Sequence, residues 1–342
     1  MKAVIINKHG GPEVLEYVGD FPDPNVGDNE VLVSIKARSL NRIEIVARNG
    51  YPGLNINLPH VLGPDGSGEV VTTGKNVKLL KRGDRVVVYP VIVPEEDEFT
   101  EKGLDFMSPS WKYVGLHTHG TYAEYVSLPQ ECLVKIPDTL DFISASSLPT
   151  AGLTAYHGLK NVASLSAGDT FFVWGATGGV GVFAIQIAKH LGAKVVAATS
   201  KESKKQKLYD IGADFVVNSE SDDVAAKVKE FTGGRGVDVV LDYVGPATFQ
   251  KSFDMLKKGG KILLCGQLTG RETNFSIHMT YFKHISILGF YLGAKQEMEE
   301  FVHLVSAGKI KPIIHDTMKL KDMQSAHRIM EKSEHFGKIV II

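Results

Sequence analysis

The stretch FFVWGATGGVGVFAIQIAKHLGAKVVAATS, residues 171–200, decides the fold. Its opening apolar run is long enough for a buried strand. The turn Gly175-Ala176-Thr177-Gly178-Gly179-Val180-Gly181 follows. Residues 182–191 then set Ala184, Ile185, Ile187 and Ala188 on one helical face, Gly192 ends that helix, and residues 194–199 form a second apolar strand. Strand, glycine-rich turn, helix and strand in this order make a βαβ half-unit. Glycines let the backbone approach a pyrophosphate, and the helix N-terminus offers unpaired N–H groups with a partial positive charge. The strict GxGxxG pattern is not met, because Ala176 stands at its first glycine, so the order of elements carries the expectation of a dinucleotide site.

The chain around this stretch has 342 residues, enough for two domains. With 43% hydrophobic and 23% charged residues it is an ordinary globular sequence. A formal net charge of -1 gives no electrostatic reason to expect nucleic acid or an anionic membrane as partner. No apolar run approaches the ~18 residues of a membrane span. The only cysteines are Cys132 and Cys265, far apart, which excludes a disulfide framework and a cysteine-rich zinc site and fits a cytoplasmic location.

Residues 1–126 read as mostly β, with short strands at 1–6, 30–37, 68–72, 85–89 and 122–128 separated by Gly- and Pro-rich turns. That pattern predicts a barrel-like or sandwich domain. The acidic stretch 94–110 reads as a solvated surface lobe, and 141–160 as two helices broken near Pro149. From residue 169 onward, strand candidates at 171–174, 194–199, 215–218, 237–242, 261–265 and 285–290 alternate with helical stretches. This predicts an α/β doubly wound parallel sheet. The tail, with strands near 312–315 and 337–342 around a helix at 323–333, is expected to return to the first domain. The domain boundaries read as 1–126 with 294–342, and 127–293.

This order of parts resembles the medium-chain dehydrogenase/reductase superfamily over essentially the whole chain, with a GroES-like β domain and a Rossmann domain. The resemblance rests on GGPEVLE (10–16), LNRIEIVARNGYP (40–52), LPHVLGPDGSGEV (58–70), GDRVVVYP (83–90), HGTYAEYVSLP (119–129), GATGGVG (175–181), GADFVVN (212–218), DYVG (242–245) and GKIVII (337–342). Where the zinc alcohol dehydrogenases of that superfamily carry metal ligands, this chain has Asn41, Pro64 and Thr150. These are an amide, a side chain with no donor and a neutral hydroxyl, none of them a zinc ligand. Asp65 and Glu44 lie nearby and offer at most a weak site. The stretch 91–113 lacks the four cysteines of that branch's structural zinc lobe. The chain therefore looks like the zinc-free quinone oxidoreductase branch, with no metal expected, although LPHVLGPDGSG and HGTYAEYV also resemble certain zinc-branch alcohol dehydrogenases.

The resemblance implies cofactor contacts from Thr154, Ala176, Thr177, Gly178, Gly179, Val180, Val244, Gly245, Gly266 and Gln267. Thr199 stands where NAD-binding turns carry an acidic residue, and Ser200, Lys201, Lys204 and Lys205 follow. Hydroxyl and lysine groups suit a 2′-phosphate, so the expected cofactor is NADP(H), with Ser200 and Lys204 its main contacts; Arg235 and Arg271 are weaker candidates. Asn41 and Tyr51 are the catalytic candidates by family position; the site reading of Asn41 is preferred to a local cap, and Tyr51 reads equally as a surface turn. Tyr291 is a third candidate. His117 and His119 share a face if strand-borne and read as ordinary strand histidines without a third ligand. The expected activity is NADPH-dependent reduction of a quinone or α,β-unsaturated carbonyl, electron-poor acceptors that need no metal to polarise them. Kept beside it are an alcohol dehydrogenase with an atypical metal site and a non-catalytic NADPH-binding sensor. The partner is a small-molecule substrate. The resemblance implies a homodimer or homotetramer joined at an edge strand of the sheet, and the apolar segment 285–290 at the end of the sheet suits that joint.

Overall fold

The computed structural model describes residues 1–342. The chain forms two compact units, Met1–Leu153 with Gly293–Ile342, and Thr154–Leu292. The second unit starts at Thr154 instead of 127 because the strands Tyr125–Pro129 and Leu133–Lys135 pair with Glu30–Ser39 and Arg85–Val88 of the first.

The first unit is built on the strand Glu30–Ser39, the longest in the chain. It pairs antiparallel with Ser67–Thr73, Tyr125–Pro129 and the terminal strand Lys338–Ile341. The tail thus returns to this unit, and Ile314–Met318 adds to the sheet beyond it, in parallel with Lys338–Ile341. Val31, Val33, Ile35, Val70, Val86, Val88, Val126 and Leu128 alternate inward and form its core. Helix Arg42–Asn49, which apolar spacing does not announce, starts immediately after that central strand. Glu44, its third residue, turns back to accept the Asn41 backbone N–H at 3.0 Å, half of a capping box. The acidic lobe is more ordered than its composition suggests. Asp97 accepts the N–H groups of Phe99 and Thr100 and the hydroxyl of the buried Ser108, closing two short turns.

The second unit is a six-stranded parallel sheet. Its order is Phe215–Asn218, Lys194–Thr199, Thr170–Val173, Val237–Asp242, Leu256–Leu264, Ser286–Gly289. Chain order reverses between Thr170–Val173 and Val237–Asp242, and the carboxyl ends of strands at such a switch point are where this architecture binds ligands. Strand residues are buried on both faces, as a sheet covered by helices requires. Phe172, Trp174, Val196, Val240 and Ile262 anchor the core.

The helix Gly179–His190 begins hard against the preceding turn. A Cβ on Gly181 would stand 2.6 Å from the Ala176 carbonyl oxygen and 2.7 Å from its Cα, both backbone atoms that cannot yield. Gly181→Ala is therefore expected to destabilise the unit by about 1–3 kcal/mol, the usual cost of overpacking. Urea unfolding followed by far-UV circular dichroism checks this; an unchanged midpoint would contradict it.

Candidate functional site

In the nucleotide unit, the glycine-rich turn is held from below. Gly175 takes a left-handed φ of 60°, and its carbonyl accepts the Tyr243 hydroxyl. The backbone N–H of Ala176 is bonded to the Ala198 carbonyl on the neighbouring strand. Helix Gly179–His190 is N-capped by Gly178, which has no side chain to satisfy the first-turn donors. Thr177, Gly178, Gly179 and Val180 are partly exposed there, whereas Ala176 is buried. A Gly178 N-cap, a left-handed Gly175 and a helix whose first turn lacks a side-chain cap are what a pyrophosphate cradle requires.

The second wall of this cradle hangs on Asp242. Its Oδ1 accepts the N–H groups of Val244 and Gly245, each at 3.0 Å. Both carboxylate oxygens receive Thr248 Oγ1, and Oδ2 receives Ser252 Oγ at 2.7 Å. Ser252 in turn accepts the Trp174 indole N–H. One buried carboxylate thus fixes the turn containing Val244 and Gly245 beside the strand that leads into the glycine-rich turn. Gly266 lies against Tyr243, where a Cβ would meet the Tyr243 carbonyl oxygen at 2.6 Å, and Gln267 is exposed next to it. Thr154 is buried in the helix Leu153–His157.

Thr199 ends its strand buried, and its Oγ1 accepts the Lys201 N–H. Ser200 is exposed and Lys204 partly so. Sequence reasoning passed over Glu202 in the same loop. Its carboxylate accepts Asn218 Nδ2 at 3.0 Å and pairs with Lys205 at 3.0 Å, and the bond from Asn218, aided by Lys205, depresses its pKa.

The β unit contains a second constellation, buried around Asp65. Its Oδ1 accepts the Thr150 N–H at 3.0 Å and the Thr150 hydroxyl at 2.6 Å. Because the single Thr150 hydroxyl proton goes to Asp65, Tyr113 must donate its own to Thr150 Oγ1. Asp65 Oδ2 accepts Asn41 Nδ2 at 2.9 Å, and Ser39 Oγ shares one proton between Oδ2 and the Ser146 carbonyl. The Lys338 ammonium, 2% exposed, lies 3.4 Å from Oδ2 and donates to the Leu40 carbonyl and to Asn41 Oδ1. Asn41 is thus both the N-cap residue of the helix and an amide engaged at both ends. Burial lowers the pKa of Lys338, while Asp65 and Glu44 oppose that shift.

Glu44 is fully buried beside this cluster. Burial pushes its pKa up to about 8, the neighbouring Asp65 adds to the rise, and Lys338 counters it. Tyr51 is in the loop after helix Arg42–Asn49, partly exposed, with its carbonyl accepting the Leu54 N–H. His117 and His119 are not on a regular strand, contrary to expectation. Each uses Nδ1 to accept a backbone N–H, from Tyr113 and Val61 respectively. The lysine that the sequence reading left unassigned, Lys338, was visible as a lone charge inside the apolar run KIVII.

The residues at the metal-ligand positions do not fit zinc. Pro64 has no donor, Asn41 and Thr150 are engaged to Asp65, and the space beside Asp65 already holds an ammonium ion. The cradle of the second unit does fit a dinucleotide.

Residues 27–138 match the alcohol dehydrogenase GroES-like domain family, and residues 179–307 match the zinc-binding dehydrogenase family. The chain is 30% identical to an alcohol dehydrogenase of Geobacillus stearothermophilus, covering 100% of this chain and 98% of the relative. It is 31% identical to quinone oxidoreductase 1 of Escherichia coli, covering 98% of each. A crystal structure of an NAD-dependent alcohol dehydrogenase superposes with a TM-score of 0.95 at 37% identity, covering 100% of this chain and 99% of the other.

The raised pKa of Glu44 has a consequence for stability. Its unfolded carboxyl titrates near 4.5 and its folded one at about 8, so folding takes up a proton between those values. The stability it contributes is present at low pH and is lost as pH rises through that window. Glu44→Gln is expected to remove this loss, gaining on the parent by at least about 1.4 kcal/mol between pH 5 and pH 8. Urea titrations across that range test it; a constant difference between the two proteins would contradict it.

Proposed function

The chain belongs to the medium-chain dehydrogenase/reductase superfamily and is an oxidoreductase of that type, and we propose that it reduces a quinone or an α,β-unsaturated carbonyl compound with NADPH and without a metal. The observation that carries this reading is the Asp65 network. An amide and a hydroxyl stand at two of the positions where the zinc enzymes carry metal ligands, a proline stands at the third, and a tethered ammonium pairs with the carboxylate beside them. Simple alcohol oxidation needs strong charge stabilisation of an alcoholate, whereas electron-poor acceptors need chiefly orientation and hydrogen bonding.

The glycine-rich turn, Val244, Gly245, Gly266, Gln267 and Thr154 are the residues assigned to the dinucleotide, which supplies the hydride when bound. Ser200 and Lys204 are assigned to the 2′-phosphate. Glu202 does not oppose this, because its charge is offset by Lys205 and its carboxylate is turned to Asn218. Asn41 is assigned to orienting the substrate carbonyl, and Tyr51 to the same surface. A second reading, an NAD-dependent alcohol dehydrogenase with an atypical metal site at Asp65 and Glu44, draws on the names of the alcohol dehydrogenase relatives. Lys338 counts against it.

The test is cofactor oxidation across quinones and enones, with alcohols assayed in reverse, before and after chelation. Turnover of quinones or enones, insensitive to chelators and faster with NADPH, is expected. NADPH should bind about 1–3 kcal/mol more tightly than NADH, the scale of charge-assisted bonds, and Lys204→Glu should remove most of that margin. Chelator-sensitive alcohol oxidation with NAD⁺ would support the second reading, and tight NADPH binding without turnover would favour a sensor.

The assembly proposed is a homodimer or homotetramer joined at the strand Ser286–Gly289, the edge of the parallel sheet. The neighbouring helix Ile277–Phe282 leaves Ile277 75% and Tyr281 64% exposed, an apolar surface that pairing would cover. Leu288→Lys is expected to yield monomers in light scattering; a monomeric parent would rule this assembly out.

A further inference from the structure

Beyond the Asp65 cluster, the β unit contains a second buried polar chain that the proposed reaction does not use. It links helix Arg42–Asn49, Tyr122 and helix Met323–Glu331. Arg48, Tyr122, His327 and Glu44 are each fully buried. Arg48 contacts His327 Nδ1 at 3.0 Å, His327 Nε2 lies 3.2 Å from Tyr122 Oη, and Tyr122 Oη lies 3.3 Å from Glu44 Oε1.

The chemistry fixes every proton in this chain. A guanidinium can only donate, so His327 Nδ1 is an acceptor and its proton sits on Nε2. Nε2–H then donates to Tyr122, which leaves the Tyr122 proton for Glu44 Oε1. Burial, with Arg48 adding to it, holds His327 neutral, with its pKa lowered to about 3, and burial raises that of Tyr122 well above its ordinary value. Arg48 is itself tied to the Gly10 carbonyl, Asn49 Oδ1 and the Glu331 carboxylate. No proton can leave through this end, because the guanidinium closes it.

Glu44 Oε1 is thus occupied by two donors, Tyr122 and the Asn41 N–H. Oε2 is buried and has no hydrogen-bond partner. It is the one oxygen of this carboxyl that can carry or release a proton. The charged groups acting on Glu44 are Asp65 and Lys338, with Tyr122 bonded to it and His327 and Arg48 behind. With Asp65 and Lys338 as an ion pair, protonated Glu44 leaves the trio neutral. Loss of the Oε2 proton to water leaves it with one net negative charge.

We propose that Glu44 is the proton-holding acid of the β unit, with Tyr122, His327 and Arg48 as positioning residues, and that its protonation state governs the hydride transfer. This rests on the proposed reaction in one respect: hydride delivered to a conjugated carbonyl builds negative charge on its oxygen. An added negative charge behind Asn41 opposes that charge, so the neutral trio is the working state.

Two measurements test it. Infrared difference spectra between about pH 6 and pH 10 should show a protonated-carboxyl stretch that disappears on the alkaline side and is missing in Glu44→Gln. The kcat for a quinone or enone should fall about tenfold per pH unit above an ionisation near pH 8 in the parent. Glu44→Gln should lose that alkaline fall. Tyr122→Phe, which removes a bond donated to the carboxylate, should move it up by about one pH unit. A carboxyl band unchanged in Glu44→Gln, or an alkaline fall that persists there, overturns the proposal. If no quinone or enone is turned over, the proposed reaction fails, and the infrared band alone decides whether Glu44 holds the proton.

Discussion

The β unit depends on keeping one carboxylate satisfied away from water. Asp65 is fully buried, and an ionised carboxylate without partners in such a place is strongly unfavourable. Its partners come from four separate places in the chain. Ser39 ends the central strand, Asn41 begins the following helix, Thr150 lies on the helical segment Leu148–Gly152, and Lys338 opens the terminal strand. Each is held by the same two oxygens. The return of the tail to the first unit is therefore more than a sheet pairing. Without Lys338 the Asp65 charge would lack its counter-ion, and without Asp65 the ammonium would be buried beside neutral acceptors and Glu44 alone.

Asp242 does the corresponding work in the nucleotide unit, with a different outcome. Its acceptors are filled by two backbone N–H groups and two hydroxyls, all from residues 244–252, within one turn and helix. The constraint is local, and what it fixes is the backbone path of Val244 and Gly245 next to the glycine-rich turn. Tyr243 then braces that turn through the Gly175 carbonyl. A loop of small residues, flexible by composition, is thereby held by one aspartate and one tyrosine.

How much of this was legible follows from the range of the interactions. The six strands of the nucleotide unit, its glycine-rich turn and the returning tail are written in local periodicity and turn residues, and the structure contains them all. The short strands Leu15–Val18 and His60–Val61 carry too little pattern to be seen. Helix Arg42–Asn49 escaped notice because its buried face includes Glu44 and Arg48, charged residues that mask an apolar stripe. For the site, Asn41, Asp65 and Thr150 were reached through resemblance. Lys338, Tyr122, His327 and Arg48 were not, since their partners lie up to 298 residues away and, apart from the charge that Lys338 sets at the head of an apolar run, nothing local marks them. Glu202 was missed for another reason: lysines dominate its loop, and its pairing with Asn218 depends on the neighbouring strand.

The two halves of the Asp65–Glu44 constellation differ in whether their charge can change. Lys338 is covalently tethered, so the cation beside Asp65 cannot be lost to a chelator or exchanged for another ion. A divalent ion entering there would have to displace an ammonium held by the Leu40 carbonyl and Asn41, and would meet an amide and a hydroxyl as its remaining ligands. An ammonium in that place lacks the polarising power of a metal ion and leaves a fixed, nearly neutral polar cluster. Of the acids in this cluster, Glu44 is the one with an unsatisfied atom: its buried Oε2 has no hydrogen-bond partner. The chain of fixed protons behind it, from Arg48 through His327 and Tyr122, prevents that carboxyl from relieving the mismatch by rotating away. Burial disfavours every charge in the network; Asp65 and Lys338 offset that by pairing, which leaves the exchangeable charge to Glu44.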